Sequence, residues 1–245
     1  MNGVNGFFFG LYPYLAGTVF LLGSLARFER DPYTWKSDSS ELLQRGRLRL
    51  GSNLFHVGIL LLFLGHFAGL LTPHSAILGI GIDDRTHQIL AMVSGGVFGA
   101  LCLAGLVILI HRRLSEPRVR ATTRVMDLVV LGWILITLLF GLSTLYFSAR
   151  DVAGGHMIAL AEWAQHIVTF RPEAAAFIQS VPLVFKIHLF LGMTLFALLP
   201  FSRLVHIWSG FASVSYLWRS YQVVRPRHPV PGRAASARTP EQGRR

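Results

Sequence analysis

Four histidines interrupt long apolar segments of this sequence. His56 and His66 lie in one apolar segment, and His188 and His206 lie in another, later in the chain. An ionisable side chain inside a membrane-length apolar segment is costly to bury and usually has a function. A neutral imidazole can ligate a metal, carry a proton or form a structural hydrogen bond. These four histidines are therefore the first candidates for chemistry.

The spacing of the four histidines predicts two facing pairs. His56 and His66 are ten residues apart, which in an α-helix is a rise of about 15 Å and a net rotation of about 80°. His188 and His206 are eighteen residues apart, which is a rise of about 27 Å on one face. In antiparallel helices His56 would face His206 at one depth, and His66 would face His188 at the other. The two rises differ, and Pro200 can bend the second helix to absorb part of that difference.

The paired arrangement favours haem. Facing imidazoles in hydrocarbon pack poorly unless a group lies between them, and haem iron takes axial histidine ligands. Gly51, Gly58 and Gly65 recur every seven residues, and Gly192 lies one turn beyond His188. Such small residues let a macrocycle approach a helix, although plain helix packing is the commoner reason for any single glycine. Hydrogen-bonded structural histidines and a proton path are the alternatives.

The histidines must be positioned by helices that cross a membrane. The chain has 245 residues, of which 52% are hydrophobic and 14% charged, whereas soluble domains carry about 25% charged residues. Five segments reach the roughly 20 apolar residues that a span needs. They cover residues 5–26, 52–72, 88–110, 126–147 and 183–208. We therefore predict an all-α integral membrane protein, a five-transmembrane-helix bundle. The single cysteine, Cys102, excludes an intrachain disulfide and argues against a thiolate-held metal site.

The distribution of basic residues predicts the orientation of the bundle. Of the 23 Lys and Arg residues, eighteen lie in the first loop, the third loop and the tail, and three lie in the second and fourth loops. Cytoplasmic loops concentrate Lys and Arg, which places the N-terminus outside (periplasmic) and the C-terminus in the cytoplasm. The predicted location is the cell inner (cytoplasmic) membrane, with several passes. The net charge of +11 is explained in this way without nucleic acid.

Two further segments complete the predicted organisation. Residues 1–224 form the membrane domain, and residues 225–245, rich in Pro, Arg, Ala and Gly, form a cytoplasmic basic tail that is largely disordered at its end. In the fourth loop, residues 155–170 have apolar side chains at helical spacing. They are predicted to form a helix lying along the outer surface.

Beyond these patterns, the sequence resembles the gamma subunit of membrane-bound respiratory nitrate reductase, a di-haem cytochrome b. The resembling segments, within roughly residues 7–228, are FFFGLYPYLAG, SNLFHVGILLLFLGHFAGLLTPH, RRLSEPRVRATT, FKIHLFLGMTLFALLPFSRLVHIWS and YQVVRPRH. The resemblance implies two haem b groups, the inner held by His56 and His206 and the outer by His66 and His188. It also implies that electrons from a quinol, menaquinol or ubiquinol, pass from the outer to the inner haem. They would continue to iron–sulfur clusters of a cytoplasmic beta subunit and to a molybdenum alpha subunit that reduces nitrate, in anaerobic respiration or nitrate assimilation.

The resemblance also implies a quinol site. It would lie between Gly65, His66 and Gly69 of the second segment and the start of the third segment. The family has a lysine near that start, and the matching residue here is His87, after an apparent one-residue insertion. Arg85 is the other basic candidate. Histidine can still donate a hydrogen bond near neutral pH, and a solvated residue at a helix start is an equally weighted alternative for His87.

The basic loops have a general and a specific interpretation. The general one is contact with membrane lipid headgroups. The specific one, implied by the resemblance, is docking of the beta and alpha subunits. Two rival functions are compatible with parts of the pattern: a di-haem cytochrome b anchor of another respiratory oxidoreductase, such as a hydrogenase or formate dehydrogenase, and a small membrane transporter or proton channel.

Overall fold

The computed structural model describes residues 3–30, 45–151 and 154–208, all of which belong to one compact unit, Met1–Ser209. The predicted tail 225–245 and its boundary lie outside the described residues. Within the described part of the chain all regular secondary structure is helical, which confirms the all-α class. Five helices are long and apolar enough to cross a membrane, as predicted. These first to fifth spans are Gly3–Arg30, Leu48–Leu71, Asp84–Ser115, Val125–Arg150 and Leu183–Phe201.

Shorter helices connect the spans. His74–Gly79 and Pro117–Ala121 follow the second and third spans, Gly155–Val168 and Ala174–Phe177 precede the fifth, and Arg203–Trp208 follows it. The helix predicted within 155–170 is present as Gly155–Val168. We call it the connecting helix. Arg27, Arg112, Arg113 and Arg203 lie where the first, third and fifth spans end, and we call this the basic end of the bundle.

The first span is irregular near its start because of Pro13. Residues Phe7–Leu11 are π-helical, between α-helical segments Gly3–Gly6 and Tyr12–Arg30. Pro13 has no N–H to donate to the carbonyl of Phe9, four residues earlier. The indole Nε1 of Trp163 in the connecting helix donates to that carbonyl instead, at 2.8 Å. This bond ties the connecting helix to the first span inside a buried cluster that also contains Ile178 and Phe185.

The second and third spans pack through glycines. A Cβ built on Gly58 would lie 2.5 Å from the backbone nitrogen of Cys102, and one built on Gly51 would lie 2.9 Å from Cγ2 of Ile108. A Cβ on Gly105 would likewise overlap the backbone of Phe55. Small residues at a membrane helix interface let the two backbones approach closely. Gly51 and Gly58 therefore serve helix packing, the commoner of the two roles expected for such glycines.

The fifth span is shorter than the predicted segment 183–208. Its α-helix runs from Leu183 to Leu198, Leu199–Phe201 is a 3-10 turn, and Ser202 is extended with φ −123° and ψ 179°. A second 3-10 helix then covers Arg203–Trp208. Pro200 ends the regular hydrogen-bond pattern. The predicted continuous helix is wrong beyond Phe201, and the 27 Å rise estimated for it does not apply.

Candidate functional site

One histidine pair lies toward the basic end. His56 comes from the second span, and His206 comes from the 3-10 helix after the fifth span. Their ring centroids are 6.2 Å apart, with an angle of 69° between the ring planes. The turn at Ser202 brings His206 to this position, and sequence spacing alone did not reveal that turn.

The second histidine pair lies toward the other end of the same two spans. His66 follows His56 by ten residues in the second span, and His188 lies near the start of the fifth. Their ring centroids are 6.0 Å apart, with the ring planes inclined by 42°. The structure thus brings together both pairs that antiparallel topology suggested.

All four imidazoles have the same polar contact. Each Nδ1 lies within hydrogen-bond distance of a backbone carbonyl oxygen: Ser52 at 2.8 Å, Leu62 at 2.7 Å, Thr137 at 2.9 Å and Arg203 at 2.6 Å. These contacts belong to His56, His66, His188 and His206 in that order. A carbonyl can only accept, so Nδ1 carries the proton and donates. Nε2 is then the unprotonated ring nitrogen, the form that ligates a metal.

The separation of the rings fits two axial ligands of one metal. An imidazole nitrogen binds a metal ion at about 2 Å, and the ring centroid lies about 1 Å behind it, so two rings on opposite sides have centroids about 6 Å apart. Aromatic rings in simple contact also have centroids about 4.5–7 Å apart. The distance therefore permits ligation, and the common Nδ1 contact supports it.

The ligand count favours a macrocycle over a bare metal ion. Among the described residues, no group of three or more His, Cys, Asp or Glu side chains is placed to hold a metal ion. A protein zinc site takes three or four such ligands. Two facing histidines match the axial positions of a haem, whose porphyrin supplies the other four donors.

Glycines lie near the histidine pairs, and one of them, Gly141, was not indicated by sequence spacing. A Cβ built on Gly141 in the fourth span would lie 2.8 Å from Cε1 of His188 and 3.2 Å from its Nδ1. This glycine therefore makes room for the His188 ring beside the carbonyl of Thr137. No described atom comes within 4 Å of a Cβ built on Gly65 or Gly192, so both backbones are open to close approach by a flat group.

Two of the predicted quinol-site residues line one small cavity, of about 20 Å³. The cavity is lined by Gly69, Thr72, His74, Ile77, His87, Met157, Ile158, Ala161 and Glu162. Gly65, His66 and Arg85 are not among the lining residues. Sequence reasoning missed Glu162, although it is the single acidic residue of the connecting helix.

Titratable side chains surround this cavity in two pairs. His74 Nδ1 lies 3.5 Å from Asp84 Oδ1, and His166 Nδ1 lies 3.7 Å from Glu162 Oε2. His74 and Glu162 line the cavity, whereas Asp84 and His166 are not among its lining residues. The arrangement offers proton-accepting groups next to an apolar wall formed by Ile77, Met157 and Ile158.

A larger cavity, of about 250 Å³, lies between the first span, the connecting helix and the fifth span. Its walls include Phe20, Ala164, Ile167, Met193 and Phe196. The indole of Trp163 also lines it, but its N–H is bonded to Phe9. This cavity suits a hydrocarbon chain and lacks titratable groups to orient a polar ring.

Comparison with known proteins gives one consistent family. A profile of the family described as nitrate reductase gamma subunit matches residues 5–227. The chain is 49% identical over 231 residues to the respiratory nitrate reductase 1 gamma chain of Escherichia coli (strain K12), covering 93% of this chain and 100% of that one. The respiratory nitrate reductase 2 gamma chain of the same strain is 46% identical over 91% of this chain and 98% of its own length. The nitrate reductase gamma chain of Bacillus subtilis (strain 168) is 37% identical over 89% and 96% respectively.

Proposed function

The chain belongs to the nitrate reductase gamma subunit family, and from this premise we propose that it is the quinol-oxidising, di-haem b membrane subunit of a respiratory nitrate reductase. His56 and His206 hold the inner haem, and His66 and His188 hold the outer haem. When bound, the two haems supply one-electron transfer through the bundle. The observation that carries the proposal is the two imidazole pairs, with centroids 6.2 and 6.0 Å apart.

The chain itself fixes the ligands in a reactive form. Each Nδ1–H is bonded to a carbonyl, which sets the tautomer and the ring direction and raises the basicity of Nε2. Carbonyls of the second span hold His56 and His66 through contacts within one helix. The carbonyl that holds His188 comes from the fourth span, so three spans position the outer pair.

The quinol site of this proposal combines Gly65, His66, Gly69, His87 and Arg85, and the small cavity supports Gly69 and His87 in particular. Oxidation of a quinol releases two protons that need acceptors, and carboxylates and neutral imidazoles are the usual general bases. Glu162 and His74 line the same cavity and fill this role. A cavity of about 20 Å³ has room for only about one water molecule. Entry of a quinol ring therefore requires the walls of this cavity to move apart.

The membrane setting and the partners follow from the same premise. The chain is a multi-pass membrane protein, and we place it in the inner membrane with the N-terminus periplasmic and the C-terminus cytoplasmic. The basic end then faces the cytoplasm, where it contacts anionic lipid and docks the iron–sulfur beta and molybdenum alpha subunits. Two relatives are named respiratory, which supports a role in respiration and argues against the nitrate assimilation considered from the sequence.

The rival functions have less support. A di-haem anchor of a hydrogenase or formate dehydrogenase would share the histidine pairs, but the relatives that match over nearly their whole length are nitrate reductase gamma chains. A transporter or proton channel could use paired imidazoles to carry protons, but the relatives reported above are named nitrate reductase gamma chains.

The first experiment is a pyridine haemochrome assay with a reduced-minus-oxidised spectrum on the detergent-purified chain. We expect about two non-covalent b haems per chain. Folded protein that was made with haem available and contains none would refute the proposal. His166→Ala is the matched control, because His166 has the same contact to a carbonyl four residues earlier, at 2.8 Å, but belongs to neither pair. It should retain both haems.

A further inference from the structure

The backbone that carries His206 is irregular and needs outside support. The fifth span ends in a 3-10 turn, Ser202 is extended, and a second 3-10 helix begins at Arg203. Irregular backbone at membrane depth is tolerated only where other groups satisfy its polar atoms. Two charged side chains from other spans support it here: Arg27 donates to its backbone carbonyls, and Asp127 pairs with the side chain of Arg203.

Arg27 of the first span binds the backbone at the irregular end of the fifth span. Its Nη1 donates to the carbonyl oxygens of Pro200 and Ser202, at 2.7 and 2.8 Å. In a continuous α-helix, the Pro200 carbonyl would accept from the N–H of Leu204. That N–H instead meets Oγ of Ser202 at 3.2 Å. Arg27 therefore takes the place of a lost helix bond at the turn toward His206.

Asp127 of the fourth span binds the side chain of Arg203, the residue that follows the extended Ser202. Its Oδ1 lies 2.6 Å from Nε of Arg203, and its Oδ2 accepts from Nη1 of Arg113 at 2.9 Å. The backbone N–H of Arg124 also donates to Oδ2, at 3.0 Å. The Asp127 side chain is only 5% exposed. A buried carboxylate between two guanidinium groups fixes Arg203 firmly, because removing one partner of a buried ion pair is strongly unfavourable.

The same arginine touches the histidine. The backbone carbonyl of Arg203 accepts the Nδ1–H of His206 at 2.6 Å. The contact between the Arg203 side chain and Asp127 therefore also helps to orient the His206 imidazole. His56 has no counterpart of this, since its carbonyl partner lies within its own regular helix.

We propose that Arg27 and Asp127 are positioning residues for His206, which hold the broken end of the fifth span so that its imidazole faces His56. The inference rests on the proposed function for the group that the pair would bind. It adds two residues of the first and fourth spans to the inner site. Neither residue touches the reacting atoms, and both act through the backbone between Pro200 and His206.

The test compares Asp127→Asn and Arg27→Gln with the wild-type chain by haem content and low-temperature reduced-minus-oxidised spectra. Outer-ligand networks of this kind change metal affinity by about 10–100-fold. Both variants should therefore lose or distort the inner haem signal while they keep the outer one. Arg27→Lys should restore part of the inner signal, because an ammonium group can still donate to the two carbonyls.

Asp151→Asn is the matched control. Asp151 is likewise a carboxylate with a basic partner, at 3.0 Å from Nδ1 of His156, but it lies at the opposite end of the fourth span. It should leave both signals unchanged. If Asp127→Asn does not fold, Arg203→Met removes the same contact from its other side, and it should show the same selective inner defect.

Three outcomes separate the possibilities. Wild-type protein without haem would refute the proposed function itself. Wild-type protein with two haems, beside variants with normal inner spectra, would refute the positioning role alone. A shift of the inner midpoint potential without any spectral change would mean that Asp127 acts through its charge, and this would also overturn the positioning role.

Discussion

Gly141 is the residue whose role depends most directly on a measured distance. A methyl group at this position would lie 2.8 Å from Cε1 of His188, closer than van der Waals contact allows, so the ring must move. We expect Gly141→Ala to weaken retention of the outer haem by about 10–100-fold, as for other changes next to a ligand. The inner haem should be unaffected. Haem content and the reduced-minus-oxidised spectrum measure this.

Gly132→Ala is the control in the same span, because no described atom lies within 4 Å of a Cβ at Gly132. Its spectrum should match the wild type. Equal loss of haem in both variants would point to a general defect of the fourth span and would contradict the specific contact with His188.

Glu162 tests the proton-accepting role proposed for the small cavity. Glu162→Gln keeps the shape of the side chain but removes its ability to accept a proton at neutral pH. General bases contribute about 10²–10⁴-fold to rate, so quinol-dependent reduction of the haems should slow by at least about 10²-fold. Haem content should be normal. Glu173 lies on the exposed turn after the connecting helix, and in the Glu173→Gln control the haems should be reduced at the wild-type rate. A normal rate in Glu162→Gln would exclude Glu162 as the proton acceptor.

At the residue scale, the sequence identified residues whose type is unusual for the segment in which they lie. The four histidines are rare ionisable groups in apolar segments, and both pairs meet in the structure. Gly141 could not be found in this way, because it is one of 24 glycines and only tertiary packing places it against His188. Asp127 was missed for a similar reason, because a carboxylate at the end of a span looks like an ordinary solvated residue.

At the scale of elements, the glycine interface between the second and third spans makes a stability prediction. A Cβ at Gly58 would meet backbone atoms of Cys102 at 2.5 and 2.7 Å, and backbone cannot rotate away. Overpacking of this kind costs about 1–3 kcal/mol. We expect Gly58→Ala to lower the thermal unfolding midpoint of the detergent-purified chain. Gly95→Ala in the third span, where the nearest atom lies at 3.9 Å, should leave it unchanged or slightly raised.

Hydropathy predicted the spans well because the cost of exposing backbone in lipid leaves helices as the only choice for a long apolar segment. It failed at the end of the fifth span, where apolar residues continue after Pro200 but the hydrogen-bond pattern does not. The π-helical turn of the first span was likewise invisible. It depends on a contact between residues that are distant in sequence. Pro13 cannot donate to the carbonyl of Phe9, and Trp163 donates to that carbonyl instead.

The whole molecule places its two histidine pairs at two depths, and this separation makes the last prediction. Quinol is proposed to react near His66, while electrons leave near His206 toward the partner subunits. We expect His66→Ala or His188→Ala to abolish the outer haem and quinol oxidation, because the entry point is lost, while part of the inner haem is retained. His206→Ala or His56→Ala should remove the inner haem and leave an outer haem that quinol can still reduce. Haem content with quinol-dependent reduction, measured on each variant, distinguishes the two classes. If His66→Ala removed only the haem that His206→Ala removes, the pairing across the second and fifth spans would be wrong, because that one haem would then depend on ligands at both depths.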